Sequence, residues 1–463
     1  MNTTMKQFRL LRGIAAAVVL TVPLAGCEGI LEVNDPDIVT PDNLTDEIGL
    51  QTLRNGAIGE FTLAYAGGGS TDGIIMIGGL MTDEWMHSGT FVTRFQAETR
   101  SIPNDNGTLQ GMFRNLQRAR VSLEQTAAKL QEAPDAATDA RIGEMMMYAG
   151  YTYIAFGENY CNGVPFSLQN ESGETEFGPP ESNVQIFDRA IARFQSAIGD
   201  ASADADVVTA ARVGLGRALL DKGDFTGAAN AVASVPTDFA KYHRHSENSA
   251  NQRNSIYELN VVVGRWSLGD SEGVNGLNFR TSADPRITSA LCEDCAFDTS
   301  QQVPGTPAVG DNWQFANYGS RTNPVPLATG IEARLIEAEA LLQGGDAPGW
   351  LAALNALRQQ WADVAPVIRG DGATALADLA DPGSADARVD LHFRERAFYL
   401  FSTGNRLSDM RRLIRQYGRS AESVFPTGGY WKPGANYGTD VNIIVPIDEE
   451  NNPEFSGCTD RAA

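Results

Sequence analysis

Apolar residues recur along this chain at the spacing of helices. Phe187, Ile191, Phe194 and Ile198 follow one another at steps of four, three and four. Ile331, Leu335, Ala338 and Leu342 repeat the pattern, as do Trp350, Leu354, Leu357 and Trp361. Val389, Phe393, Ala397 and Leu400 step by four, four and three. Each set makes a stripe on one helical face. Short turns between stripes predict antiparallel helical hairpins. Thr40 as a cap and Pro41 at the first helical position predict a further helix over about 41–66, ended by Gly67-Gly68-Gly69.

Two hairpins share a scheme. Leu219-Leu220-Asp221-Lys222-Gly223-Asp224 leads into Ala228 to Val232, and Leu341-Leu342-Gln343-Gly344-Gly345-Asp346 leads into Leu351 to Leu357. Helix, Gly-Asp turn and Ala-rich helix make a tetratricopeptide-like unit, because small side chains let paired helices approach. The copies are too far apart for a tight tandem. Between them lies a non-helical excursion over roughly 236–330, rich in Gly and Pro, that carries Trp266, Trp313 and Tyr318. A structureless stretch this long inside a domain points to function.

The chain has 463 residues, enough for a large core, and its 42% hydrophobic content opposes disorder. With 58 acidic and 36 basic residues its formal charge is −22. That balance argues against a nucleic-acid binder and against electrostatic adhesion to anionic lipid. The N-terminus qualifies the total. Lys6, Arg9 and Arg12 precede an apolar run from Gly13 to Leu24, and then come Ala25, Gly26 and Cys27. This is an export signal, too short to span a membrane. Leu24-Ala25-Gly26-Cys27 matches the bacterial lipobox, so residues 1–26 read as a lipoprotein signal peptide and 27–40 as a tether acylated at Cys27. Its removal leaves a body three charges more acidic.

Cys161, Cys292, Cys295 and Cys458 remain. An even count in an exported chain permits two disulfides in three pairings, of which Cys292–Cys295 is local and would leave Cys161 with Cys458. The CxxC lacks the βαβ setting of a redox motif, and the four His have no finger-type spacing, so neither a metal nor a cofactor is expected. No Walker loop, G-x-S-x-G or H-E-x-x-H occurs. Asp83-Glu84 beside Trp85 is the most enzyme-like cluster, and a polar loop next to a surface aromatic is its plainer explanation.

In order along the chain, the segments resemble the SusD/RagB family of outer-membrane nutrient-uptake lipoproteins. The resemblance rests on Cys27, Leu31 to Pro36, Thr40 to Leu44, Thr82-Asp83-Glu84, Tyr151 to Glu158, Gly163 to Phe166, and the Gly-Asp hairpins. It continues through Arg394-Glu395-Arg396, Gly404 to Arg412, Ile444 to Ile447 and Asn452-Pro453. Ala397, Ser402-Thr403 and Leu407 depart from the family's usual acidic, Glu-Gly and aromatic residues and mark a divergent branch. Arg394, Glu395 and Arg396 sit one helix from Arg406 and Asp409, which suits interhelical charge pairs that fix register.

The resemblance implies a mainly α fold of about four tetratricopeptide-like helical pairs with a loop-rich layer, forming one domain over 41–463. It implies a binding protein and not an enzyme, anchored at the outer membrane through its acyl chains and facing the cell exterior. Its partner would be a SusC-like TonB-dependent β-barrel to which it delivers a captured oligosaccharide or other nutrient. Trp85, Trp266, Trp313 and Tyr318 fall where the family builds its ligand surface, and aromatic platforms suit sugar faces. Trp350 and Trp361 lie on an apolar stripe and are expected in the core. A tetratricopeptide-type protein-interaction scaffold at the outer membrane is the alternative, and a lipid-anchored hydrolase with a carboxylate pair is a more distant one.

Overall fold

Capping chemistry sets where most helices begin. The computed structural model describes residues 46–169, 174–200, 202–292, 312–370, 373–432 and 434–463. The signal, the tether, Cys27, Thr40, Pro41 and Cys295 lie outside the described residues. Helix α1 (Glu47–Ala66) stops at Gly67, whose φ of 79° suits glycine alone. Next come α2 (Ile74–Met81), buried throughout, and α3 (Val92–Glu98). Asn106 caps α4 (Gly107–Glu132), and Asp139 caps α5 (Ala140–Asn159). Ser182 and Gln185 form a capping box on α6 (Asn183–Gly199). Helices α7 (Ala205–Asp221), α8 (Phe225–Val232), α9 (Gly330–Gln343), α10 (Ala347–Arg369), α11 (Ala385–Tyr399) and α12 (Arg406–Tyr417) follow.

From α4 to α10 each helix packs on the next in sequence, and α11 packs on α9. Phe194 of α6 shows how closely they approach. A Cβ at Gly150 of α5 would lie 2.6 Å from its ring, and one at Gly214 of α7 would lie 2.3 Å away. Two glycines therefore grip one aromatic side chain from two helices. The two expected hairpins superpose at their turns. Gly223 and Gly345 both have φ 79°. Asp224 and Asp346 cap the next helix through Gly227 N (2.8 Å) and Gly349 N (2.9 Å). Trp350 and Trp361 are fully buried, as their stripe predicts.

Buried ion pairs lock α9, α11 and α12 together. Arg396 holds Asp409 at 2.8 and 3.0 Å, Arg412 bonds Asp409 at 2.8 Å, and Arg412 reaches Glu339 at 2.5 Å. The expected pairing between the two signature segments is therefore present. Two other signature residues look elsewhere: Glu395 binds Arg286 and Arg358, and Arg406 binds Asp83 at 2.7 and 2.8 Å.

The excursion differs from its expectation. Three antiparallel strand pairs organise this layer: β1 (Trp85–His87) with β3 (Trp266–Leu268), β2 (Ala240–His243) with β6 (Val325–Thr329), and β4 (Ser289–Leu291) with β5 (Trp313–Phe315). The expected non-helical stretch also contains helical turns over Ser255–Val262, started by the Asn254 side chain accepting from Tyr257 N at 3.0 Å. Asn260 then donates to Trp266 O and Trp313 O and accepts from Phe315 N, cross-linking the layer. Cys161 and Cys458 form a disulfide across 297 residues, and Cys161 N donates to Ile443 O beside it. Cys292 is also disulfide-bonded. Residues 50–463 form one compact unit, and no described helix is long and apolar enough to cross a membrane.

Candidate functional site

The structure gathers the four aromatic candidates and turns most of them inward. Trp85 and Trp266 are 0% exposed and Tyr318 is 6% exposed. Trp85 lies edge-on to Phe315 at 6.1 Å, and Phe315 packs edge-on to Tyr318 at 5.3 Å. Trp85 Nε1 donates to Ser402 Oγ at 3.3 Å and Tyr318 Oη to Ser402 O at 3.3 Å. The expected platform is thus a core that fastens the loop layer to the scaffold. The cause is the β1–β3 ladder, which points Trp85, His87 and Trp266 into the interior. Trp313 alone keeps part of its ring in solvent, with the Arg280 guanidinium 4.3 Å from its centroid. Asp83 and Glu84 are buried too: Asp83 pairs with Arg406, and Glu84 accepts from Ser402 N at 2.9 Å. The plainer explanation of that cluster, a polar loop next to a surface aromatic, does not hold, because all three residues are buried by the strand layer and the scaffold behind it.

The surface the sequence did not single out begins where β1 ends. Ser88 Oγ donates to Gly264 O at 2.7 Å, and Asn312 Nδ2 donates to Ser88 Oγ, Gly264 O and Trp266 O. Held there, the chain turns outward and presents Phe91 (38% exposed) and Val92 (64% exposed) at the start of α3. Two guanidinium groups flank the Phe91 ring, Arg265 at 4.8 Å and Arg94 at 5.1 Å from its centroid. Arg94 is braced by Asp72 at 2.9 Å and leans on Trp266 at 5.6 Å. Both guanidinium groups pack on the Phe91 ring and hold it in place.

A hairpin from the far end of the chain completes the face. Tyr430 N donates to Ala435 O, and Tyr437 N to Gly428 O, closing residues 428–437. Trp431, half-buried, donates through Nε1 to Glu98 Oε1 at 2.7 Å, and Tyr430 Oη donates to Glu98 Oε2 at 2.5 Å. Lys432 Nζ lies 4.9 Å from the Trp431 centroid and donates to Gly89 O at 2.6 Å, two residues before Phe91. That lysine ties the two aromatic segments to one surface. Tyr430 also packs edge-on to Phe95 at 5.3 Å, and Tyr437 Oη donates to Glu272 Oε2 at 2.8 Å.

Beside these rings runs an open cleft of about 490 Å³ between residues 96–103 and 438–440, lined by Gln96, Arg100, Ser101, Thr439 and Asp440 among others. Gly438 N donates to Thr99 O at 2.6 Å, and a Cβ at Gly438 would lie 2.4 Å from Arg100 O, so only glycine lets the strands meet so closely. Arg100 itself sits at φ 52°, a strained position for a non-glycine residue. Its guanidinium holds it by donating to Asp440 O and Pro426 O.

Electrostatics follow from burial. Burial pushes the Glu98 carboxyl up to about 7, opposed by the Tyr430 hydrogen bond and the Lys432 charge. Burial also raises Glu272, with the Glu98 charge adding to it. His87, buried beneath this surface, is held far below the usual histidine range by burial and by the charges of Lys432, Arg94 and Arg265. No group of described His, Cys, Asp or Glu residues is arranged to hold a metal. What the face offers is flat apolar rings fixed in place, with hydrogen-bonding groups along their edges, next to a polar cleft.

At the level of sequence, no family model and no curated protein matches the chain. Solved structures do. A SusD-like carbohydrate-binding protein from Bacteroides fragilis superposes with a TM-score of 0.64 at 16% identity, covering 89% of this chain and 99% of its own. A SusD superfamily protein from the same organism gives 0.62 at 15% identity, covering 87% and 96%. A laminarin-binding SusD-like protein gives 0.60 at 14% identity, covering 89% and 99%.

Proposed function

Starting from a chain that has the SusD-like fold over nearly all its length, we propose that it is a non-catalytic carbohydrate-binding protein that captures an oligosaccharide on the Phe91–Trp431 face. The observation that carries this reading is the pair of partly solvent-exposed rings, each held by neighbouring side chains. A sugar's C–H face packs on such rings, while its hydroxyls meet amide and charged edges. Rigid rings lose little entropy on binding. Similar proteins described as carbohydrate-binding and laminarin-binding support it.

The wider role is part of the same proposal. Acylation at Cys27 anchors the body at the outer membrane, facing outward, and the captured glycan passes to a TonB-dependent barrel of the SusC type. Calorimetry against a glycan panel tests the binding step. The double variant Phe91→Ala/Trp431→Ala keeps its circular dichroism spectrum and loses affinity for any glycan the native chain binds. Unchanged affinity would remove this face from the proposal. Cys27→Ser releases the chain from the membrane fraction, and a barrel encoded beside it co-purifies with the native chain.

A further inference from the structure

Resting on that reading of the face, we infer that its glycan is acidic: an oligosaccharide whose carboxylate or sulfate groups meet Arg265 and Lys432 while Phe91 and Trp431 carry its apolar faces. A net charge of −22 makes a cationic surface the exception on this molecule. Several arginines of the same layer are answered by carboxylates, Arg94 by Asp72, Arg280 by Asp270 and Arg286 by Asp284 and Glu395. Arg265 and Lys432 form no ion pair among the described residues. Arg265 spends its guanidinium on the Phe91 ring, and Lys432 spends its ammonium on Gly89 O and the Trp431 ring.

Glu98, the acid that acts on Lys432, is occupied by Tyr430 and Trp431, and burial removes part of its charge near neutrality. Below the surface, both His87 ring nitrogens and Arg94 Nη1 are buried without partners. His87 Nε2 stands 2.8 Å from where a Gly89 Cβ would sit, directly under the turn that leads to Phe91. Three cations act on that neutral ring. Three cations, Arg94, Arg265 and Lys432, therefore gather at this face of an acidic protein, with Asp72 and Glu98 the acids that act on them. A guanidinium and an ammonium beside two ring faces match a uronate or sulfated sugar. A neutral glucan would use the rings alone.

The test is calorimetry on the full chain at about 50 mM salt, where surface charges are weakly screened. The probes are laminarin (neutral), oligogalacturonate (carboxylate), chondroitin sulfate oligosaccharide (sulfate) and polyglutamate (an anion without sugar faces). One acidic glycan is expected to bind about tenfold or more tighter than laminarin, with an advantage that shrinks as salt rises. The variant Arg265→Gln/Lys432→Gln, which preserves bulk and polarity, is expected to erase that advantage. Whichever of the two acidic probes prevails identifies the anionic group. Laminarin binding as tightly as both acidic probes would overturn the charge preference and leave glycan binding standing. So would acidic binding that the Gln variant leaves unchanged, or polyglutamate binding equally well. Failure of every glycan would overturn the face as a sugar site and this inference with it.

Discussion

Two clusters of buried carboxylates in this molecule meet opposite fates. Between α9, α11 and α12, Glu339 and Asp409 face Arg396 and Arg412, and those guanidinium groups hold both acids below the usual carboxylate range against the opposing effect of burial. In the loop layer, Glu98 and Glu272 are just as deeply buried but face Tyr430, Trp431 and Tyr437. There burial wins, and both are raised. Between these two clusters, guanidinium partners go with lowered acids and hydroxyl or indole partners with raised ones; Glu158, raised by burial although Arg217 binds it, shows that burial can outweigh even a guanidinium. The scaffold uses charge to fix register. The loop face uses hydrogen bonds to fix aromatic rings, and its Arg265 and Lys432 form no ion pair among the described residues.

The largest effect should come from unbalancing the charged region. Asp409→Asn leaves Arg396 and Arg412 buried with one counter-ion fewer and should cost about 3–5 kcal/mol, read from the urea midpoint. If the loss is below about 1 kcal/mol, the network does not hold the hairpin register.

The second is a dependence on pH. Glu98 is raised in the folded state, so between its ordinary 4.5 and about 7 the folded chain holds a proton that the unfolded chain has released. Its contribution is complete below that window and is lost as pH rises through 7. Glu339 and Asp409 are depressed, so their contribution is present above the ordinary carboxylate range and lost in acid. Between pH 5 and 8 the four histidines, all lowered by burial, add stability as pH rises, and the Glu98 contribution declines against them. Glu98→Gln should flatten that decline by about 2–3 kcal/mol in thermal or urea melts, while the acid limb stays in place. An unchanged pH profile would show that Glu98 is ionised throughout.

A smaller effect separates the donors. Tyr437→Phe removes the hydroxyl bonded to Glu272 and should cost about 1–2 kcal/mol. The smallest belongs to Trp431→Phe, which keeps an aromatic face and removes only the Nε1 bond to Glu98. Stability should fall by about 1 kcal/mol or less, with most glycan affinity retained. A large loss of affinity would mean that recognition depends on the indole itself.

The contrast also explains what could be read from sequence. The Gly-Asp turns at 223–224 and 345–346 were legible because their chemistry is local: a left-handed glycine followed by an aspartate cap. Trp350 and Trp361 were legible from one helical stripe. The pairing of Arg396 with Asp409 could be inferred from two neighbouring helices. Arg406 with Asp83 could not, since 323 positions separate them. Trp85 and Trp266 misled because three-residue strands carry no readable periodicity, so burial by the β1–β3 ladder left no trace in the pattern. Phe91 and Trp431 are solvent-facing for reasons that lie in other segments. The available signal was weak: an aromatic beside Thr90 and Val92, and a Trp followed by Lys432 in a Gly-rich stretch.

The Cys161–Cys458 bridge has a consequence of a different kind. It closes residues 161–458 into a covalent ring that contains the Gly-Asp hairpins, strands β2 to β6 and the Trp431 hairpin, with β1 outside it. A protease that cuts this ring once opens it without releasing either piece. Such a nicked molecule would run as one band without reductant and as two with it. A single cut in any loop of the ring would leave every part of the proposed binding face tethered to the rest.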